Sequence, residues 1–353
     1  MTSLQRSLLI PALLLLFLSL VTLSSVPGNF FMGQVAWIIL GIGVIVFFHY
    51  FDTRPYAAYP WFVYGIYCIS VALLIATYFF APTIRGSRAW LVLGPLQFQT
   101  SEFAKAGLII ILAYFFSKYH AKIASVRTIL LSAVLMIIPA GLVILEPDLG
   151  SAIILASIWL GFLLISGLKI KHLALFILIA AFFGFLAWNN FLADYQKNRI
   201  MGLFNPELDP LGVNFSVIQS KIAIGSAGFF GKGYGQGTQV QLGFLPESYS
   251  DFIFAAFIEE WGLAAALVFM LIFVYLILII LKIGLRTEDN FSKFVSLGTA
   301  TVFGLHFAIN IGSTIGLLPV IGVPLTFFSY GGSNLITSFF LLGLAYGIAG
   351  RIS

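Results

Sequence analysis

DFIFAAFIEEWGLAAALVFMLIFVYLILIIL, residues 251–281, decides the fold. After Glu260 it carries no charge for about 20 residues, enough helix to cross about 30 Å of hydrocarbon. Its start is polar, with Asp251, Glu259 and Glu260 close together. Working outward, the remainder of the chain has the same texture. Of 353 residues, 60% are hydrophobic and only 9% are charged. A soluble domain carries roughly 25% charged residues, so this chain cannot coat a water-soluble surface. Mean hydropathy is +1.05 and 16% of residues are aromatic, which excludes disorder.

Nine further apolar runs join the first, giving about ten transmembrane helices. They are 8–23, 34–51, 61–80, 102–116, 128–145, 150–168, 172–189, 291–318 and 327–348. Lipid cannot satisfy backbone polar groups, and the runs are continuous rather than alternating, so they read as helices and not as a β-barrel. The expected fold class is an all-α polytopic membrane protein, one integral domain over residues 1–353. The first run follows Arg6 and precedes Ser24-Ser25, but its place in an even set of spans favours a retained helix over a cleaved signal.

Basic residues orient the bundle. With the N-terminus in the cytoplasm, that side receives Arg6, Arg54, Lys118, Lys122, Arg127, Lys169, Lys171, Lys282, Arg286, Lys293 and Arg351. The short outer loops receive only Arg85 and Arg88, and Lys197, Arg199, Lys221 and Lys232 fall in one long outer loop. This positive-inside pattern puts both termini in the cytoplasm. The formal charge of +5 therefore reads as orientation and not as nucleic-acid binding. Of the acids, only Asp52, Glu288 and Asp289 fall inside, which points to polar chemistry on the outer face.

The outer candidates each have a plain structural reading beside a chemical one. The long loop between the seventh and eighth spans, about 190–250, is too long to be structureless. In it, Phe215 to Phe230 reads as an interfacial or re-entrant segment, and GKGYGQGTQ (Gly231–Gln239) as a flexible basic loop. The latter is no P-loop, because Ser226 and Gly233 stand where that motif needs glycine and serine or threonine. Asp251 either caps the eighth helix or serves as a general base at the membrane surface. Glu259, two turns deeper on nearly the same face, needs a partner or a cavity. Glu102 and Lys105 share a helix face and can pair within the membrane. Asp148 in LEPDLG can cap the sixth helix, and His306 in the ninth span reads first as a hydrogen-bonded core histidine. Arg85 and Arg88 break the charge pattern and suit phosphates. The loop GLLPVIGVPLTFFSYGGSN must pack on protein or line a wet cavity. One cysteine, Cys68, excludes an intramolecular disulfide, and neither the cysteine nor the scattered histidines give a metal motif.

Six stretches together resemble the SEDS family of shape, elongation, division and sporulation proteins. They are GSRAWLVLGPLQFQTSEFAK, LEPDLGSA, NRIMGLFNPELDPLG, QSKIAIGSAGFFGKG, GTQVQLGFLPESYSDFIFA and HFAINIGSTIGLLPVIGVPLTFFSYGGS, spanning Gly86 to Ser333 in family order. GTQ followed by LGFLPE resembles the RodA branch. The resemblance implies a peptidoglycan glycosyltransferase of the bacterial cytoplasmic membrane that polymerises lipid II into β-1,4 glycan on the outer face during elongation. It implies a class B penicillin-binding protein and the elongation machinery as partners. It places the essential aspartate on Asp251, the intramembrane pair on Glu102 and Lys105, and the LEPDLG aspartate on Asp148. Ser250 and Thr100 stand where the family often has threonine and proline.

The reaction that the resemblance implies inverts the anomeric carbon, so it needs a base and a stabilised leaving group. Asp251 is the expected base, and Arg85, Arg88, Lys105 and Lys232 are expected to neutralise pyrophosphate. No cofactor is evident from the sequence; a divalent cation, Mg or Mn, is compatible with the pyrophosphate. Two other readings are a lipid II flippase, which needs a midplane site open to both sides, and a non-catalytic scaffold for the penicillin-binding protein, for which Asp251 is dispensable.

Overall fold

In the computed structural model, the described residues are 1–51, 59–84, 87–94, 96–119, 125–168, 170–190, 194–205, 209–212 and 214–352. Asp52, Arg54, Arg85, Lys122, Lys169 and Glu207 lie outside them. Each of the ten predicted runs is helical, the eighth with a break. In chain order these are α1 (Ser3–Ser25), α2 (Phe30–Tyr50), α3 (Pro60–Phe80), α4 (Thr100–Tyr119), α5 (Val126–Leu145), α6 (Leu149–Ile165), α7 (Ile170–Asn190), and then α11 (Ile253–Arg286), α12 (Asn290–Thr314) and α13 (Gly332–Ala349). Among the described residues, eight of them are long and apolar enough to cross a membrane, and α6 is a shorter apolar helix. Their outward faces are greasy: Phe17, Met32, Phe80 and Leu271 are all largely exposed. Apolar exposure on that scale suits a lipid solvent and not water.

The long loop carries three short helices, α8 (Asp194–Phe204), α9 (Phe215–Ser226) and the single turn α10 (Thr238–Gln241). The predicted re-entrant segment is therefore a helix up to Ser226, followed by a glycine-rich tail.

α4 is the axis of the bundle. It packs against α3, α5, α6, α12 and α13, and is the most enclosed of the apolar helices. Its two charges, Glu102 and Lys105, consequently sit in the protein core and not against lipid.

Two features depart from the sequence reading. First, the outer stretch before α4 is an antiparallel hairpin, β1 (Trp90–Leu93) and β2 (Leu96–Gln99), in register Trp90↔Gln99 through Leu93↔Leu96. Strands of four residues are too short for an alternating pattern to stand out from apolar surroundings. Second, the run 251–281 is not one helix. Gly262 adopts φ 80°, ψ 178°, so α11 is two helices joined at a break.

A break inside a membrane helix strands backbone groups on both sides, and lipid cannot satisfy them. The segment Gly228–Gly233 supplies what is missing. Lys232 N and Gly233 N donate to Glu259 O and Glu260 O at 2.9 and 3.0 Å. On the other side, Leu263 N and Ala264 N donate to Gly228 O and Phe229 O at 3.2 and 3.1 Å. Gly231 and Gly262 meet back to back there. A Cβ on either would overlap the other's backbone, so both positions need glycine.

Candidate functional site

Four groups of polar residues gather at one end of the bundle, around the N-termini of α4, α6, α11 and α13. The charge pattern assigns this end to the outside.

The deepest group begins on the first turn of α4. Lys105 Nζ donates to Glu102 Oε1 at 2.8 Å, the i,i+3 pairing that helical spacing predicts. Lys105 also reaches His306 Nε2 on α12 at 3.3 Å. Because the ammonium can only donate, Nε2 accepts, and the neutral ring carries its proton on Nδ1. That proton goes to Pro324 O at 3.1 Å. Asn334 Nδ2 on α13 donates to Glu102 Oε2 at 3.2 Å. Its 3.4 Å approach to His306 Nδ1 sets two donors face to face and is a packing contact only. All four side chains are buried.

One turn beyond His306, Asn310 Nδ2 donates to Val323 O at 2.9 Å and to Asp251 O at 3.0 Å. His306 and Asn310 thus hold successive carbonyls of the loop between α12 and α13. The Asp251 turn docks on that same loop through two more carbonyls. Ser329 Oγ donates to Ser250 O at 2.7 Å, and Tyr330 N donates to Tyr249 O at 2.9 Å. The Tyr249 ring stacks on Phe30 at 3.9 Å. Three consecutive main-chain carbonyls therefore fix where the half-buried Asp251 side chain points. Its Oδ2 lies 3.8 Å from where a Cβ on Gly322 would stand.

This corrects one expectation. Asp251 does not cap the eighth helix. It lies in the turn before the N-cap, Phe252, and the cap has no side-chain hydrogen bond. Glu259 is consequently not on a shared helix face with it.

The third group is the turn between α5 and α6. Asp148 is the N-cap of α6, accepting from Ser151 N at 3.0 Å, as the plain reading expected. It also accepts from Gln99 Nε2 at 3.2 Å and Ser101 Oγ at 3.4 Å, tying the hairpin and the start of α4 to α6. Gln99 N donates to Ser333 Oγ at 2.9 Å, which ties in α13. Glu146, two residues before Asp148, is fully buried and neither carboxyl oxygen has a hydrogen-bond partner. Burial, with Asp148 adding a smaller push, raises its pKa from 4.5 to about 8.

A folded-state pKa above the unfolded one means that the folded chain holds this proton more tightly. Its contribution to stability is complete below about pH 4.5 and is lost as pH rises through 8. Glu146→Gln should therefore flatten the fall in thermal midpoint between pH 5 and 8 and melt higher than the parent at pH 8. Parallel melting curves for the two proteins would remove Glu146 from that dependence.

The fourth group answers the cost of a deep carboxylate at Glu259. Lys232 Nζ pairs with Glu259 Oε1 at 2.7 Å. Gln239 N donates to the same oxygen at 2.9 Å and Thr238 Oγ1 at 3.2 Å. Lys232 is thus bound into the fold rather than free in a basic loop. Gly235 N donates to Glu260 Oε1 at 3.2 Å. Arg88 is exposed; its Nε donates to Thr83 Oγ1 at 3.2 Å and its backbone N–H to Glu146 O at 3.2 Å. Arg85 lies outside the described residues.

So the structure brings Glu102, Lys105 and His306 together, pairs Lys232 with Glu259, and links Asp251 to the first cluster through Asn310 and the α12–α13 loop. Sequence reasoning missed Asn310, Asn334 and Ser329, and did not foresee that Glu146 is buried. Polar side chains inside apolar spans are costly, and that signal alone could have marked the two asparagines. Among the described residues, no group of three or more His, Cys, Asp or Glu is placed to hold a metal ion.

Residues 2–352 match the family FTSW_RODA_SPOVE, described as cell cycle protein. The chain is 38% identical over 304 residues to peptidoglycan glycosyltransferase MrdB of Escherichia coli K12, covering 86% of this chain and 80% of that protein. It is 32% identical over 364 residues to stage V sporulation protein E of Bacillus subtilis, covering 99% and 97%. One similar solved structure describes structural coordination of polymerization and crosslinking by a peptidoglycan synthase complex. Its TM-score is 0.83 at 30% identity, covering 97% of this chain and 96% of that one. Another is the rod shape determining protein RodA of Thermus thermophilus, with TM-score 0.72 at 25% identity, covering 98% and 96%.

Proposed function

The chain belongs to the FtsW/RodA/SpoVE family, a multi-pass membrane peptidoglycan glycosyltransferase of the RodA type, and we propose from that premise how it works. It polymerises lipid II on the outer face of the bacterial cytoplasmic membrane, with both termini inside, alongside a class B penicillin-binding protein of the elongation machinery. The observation that carries this reading is the Asp251 carboxylate, half-buried and held over Gly322 by three backbone anchors.

In this reading, the acceptor sugar's 4-hydroxyl attacks the donor's anomeric carbon. The new C–O bond forms as the bond to pyrophosphate breaks, and Asp251 takes the hydroxyl proton. Undecaprenyl pyrophosphate leaves with its electron pair. Anchoring the turn through main-chain carbonyls holds the base in place. Arg88, together with Arg85, neutralises the leaving group. Lys105 and Lys232 each already face a carboxylate, so they are positioning residues. A divalent cation, Mg or Mn, enters only as a counter-ion carried on the pyrophosphate.

The closed state of the Glu102–Lys105–His306 cluster speaks against a flippase, since each of its members is buried and paired. Purified protein given lipid II, alone and with its cross-linking partner, should make glycan strands. No polymer in either condition would remove the reading.

A further inference from the structure

Two basic residues outside the groups above line a recess between α8, α9 and the start of the α12–α13 loop. Arg199 enters from α8 and Lys221 from α9, with Asn214 beside them and Leu203, Val217 and Pro319 as apolar wall. α9 is pinned there by Ser220 Oγ, which donates to Thr314 O at 2.7 Å at the end of α12. We propose that Arg199 and Lys221 form a diphosphate-binding subsite for a lipid-linked sugar, adjacent to Asp251.

Three observations lead there. Lys221 is exposed and makes no ion pair among the described residues, unlike Lys105 and Lys232. Its stem and ammonium lie across Gly316, where a Cβ would overlap them, so the glycine makes room for the charge at the recess. Arg199 Nη1 donates to Val320 O at 3.1 Å. Val320 is two residues from Gly322, under the Asp251 carboxylate, a separation of at most about 7 Å of backbone. One substrate can therefore touch both places.

The chemistry follows from the lining. Two cations against an apolar wall, at the end of a membrane bundle, fit a phosphate group attached to a lipid. A phospholipid headgroup shares that chemistry. The shared loop with Asp251 favours the substrate, whose diphosphate and reacting sugar must be held together. This assignment rests on the glycosyltransferase reading.

Full-length protein with Lys221→Gln should show KM for lipid II raised about tenfold, the usual cost of a lost charged hydrogen bond, with kcat little changed. Lys221→Arg should restore KM. Direct binding of undecaprenyl pyrophosphate to the protein in nanodiscs should fall in parallel in Lys221→Gln and in Arg199→Gln, with phosphatidylglycerol retention unchanged. KM within twofold of the parent would overturn the proposal. So would loss of phosphatidylglycerol in place of undecaprenyl pyrophosphate, which would make the recess a headgroup site. A wild-type protein that makes no glycan would sink the glycosyltransferase reading, while the binding measurement would still decide this one.

Discussion

Asp251→Asn should polymerise lipid II about 10²–10⁴-fold more slowly while melting close to the parent. The two halves of that expectation come from different atoms. What holds the turn is main chain: Tyr249, Ser250 and Asp251 offer carbonyls to Tyr330, Ser329 and Asn310. The substitution leaves all three in place and keeps the side chain's size. What it removes is the ability to accept a proton from the attacking hydroxyl. General-base catalysis is worth roughly 10²–10⁴ in rate, so turnover should drop by about that factor. A polymerisation assay on the purified variant, beside its thermal melt, reads both. Turnover above a tenth of the parent would reassign the base.

The second large effect lies in the core. Lys105→Met should destabilise the protein by about 3–5 kcal/mol, because it leaves the buried Glu102 carboxyl without its charge partner. Glu102→Gln should cost a similar amount by stranding the ammonium. The double variant should recover most of that loss, since two neutral side chains need no compensating charge. Activity should not return with it. Lys105 also feeds the chain of contacts through His306 and Pro324 to the loop beneath Asp251. A surface pair would behave otherwise, each single change costing at most about 1 kcal/mol. Single variants that stable would place the pair outside the bundle's support. A double variant with parental turnover would cut the link to Asp251.

The sequence made the membrane helices legible because burial in lipid demands long apolar runs, and length is a strong signal. It made Glu102–Lys105 legible because helical spacing fixes which side chains meet. Asp148 was legible as a cap for the same local reason. What stayed hidden depended on distant partners. Nothing near Glu259 announces Lys232, and nothing in the run 251–281 announces that Gly262 leaves the helix. Glycine is common in membrane helices, so its presence there carries little information without the segment that fits against it. The Asp251 turn was misread as a helix start because an acid before an apolar run is the usual capping signature, whereas the docking loop lies some 60–80 residues further on, at Asn310 and Ser329. Glu146 was legible as a second acid in the LEPDLG turn, but its burial is a property of the packed bundle and leaves no mark on local sequence.

The repaired break at Gly262 has a bearing on the order in which the chain is made. Only 27 positions separate Lys232 from its partner Glu259, and no backbone bond across the break joins residues more than 35 positions apart (263 − 228 = 35). That closure can therefore finish while α12 and α13 have yet to be synthesised. The Asp251 turn has no such independence, because its anchors are Asn310, Ser329 and Tyr330. The contacts that close the break are thus short-range along the chain, and those that fix the Asp251 turn are long-range. A chain ending before residue 310 contains both sides of the helix break but none of Asn310, Ser329 and Tyr330, so these anchors of the Asp251 turn come only with the last two spans and the loop between them.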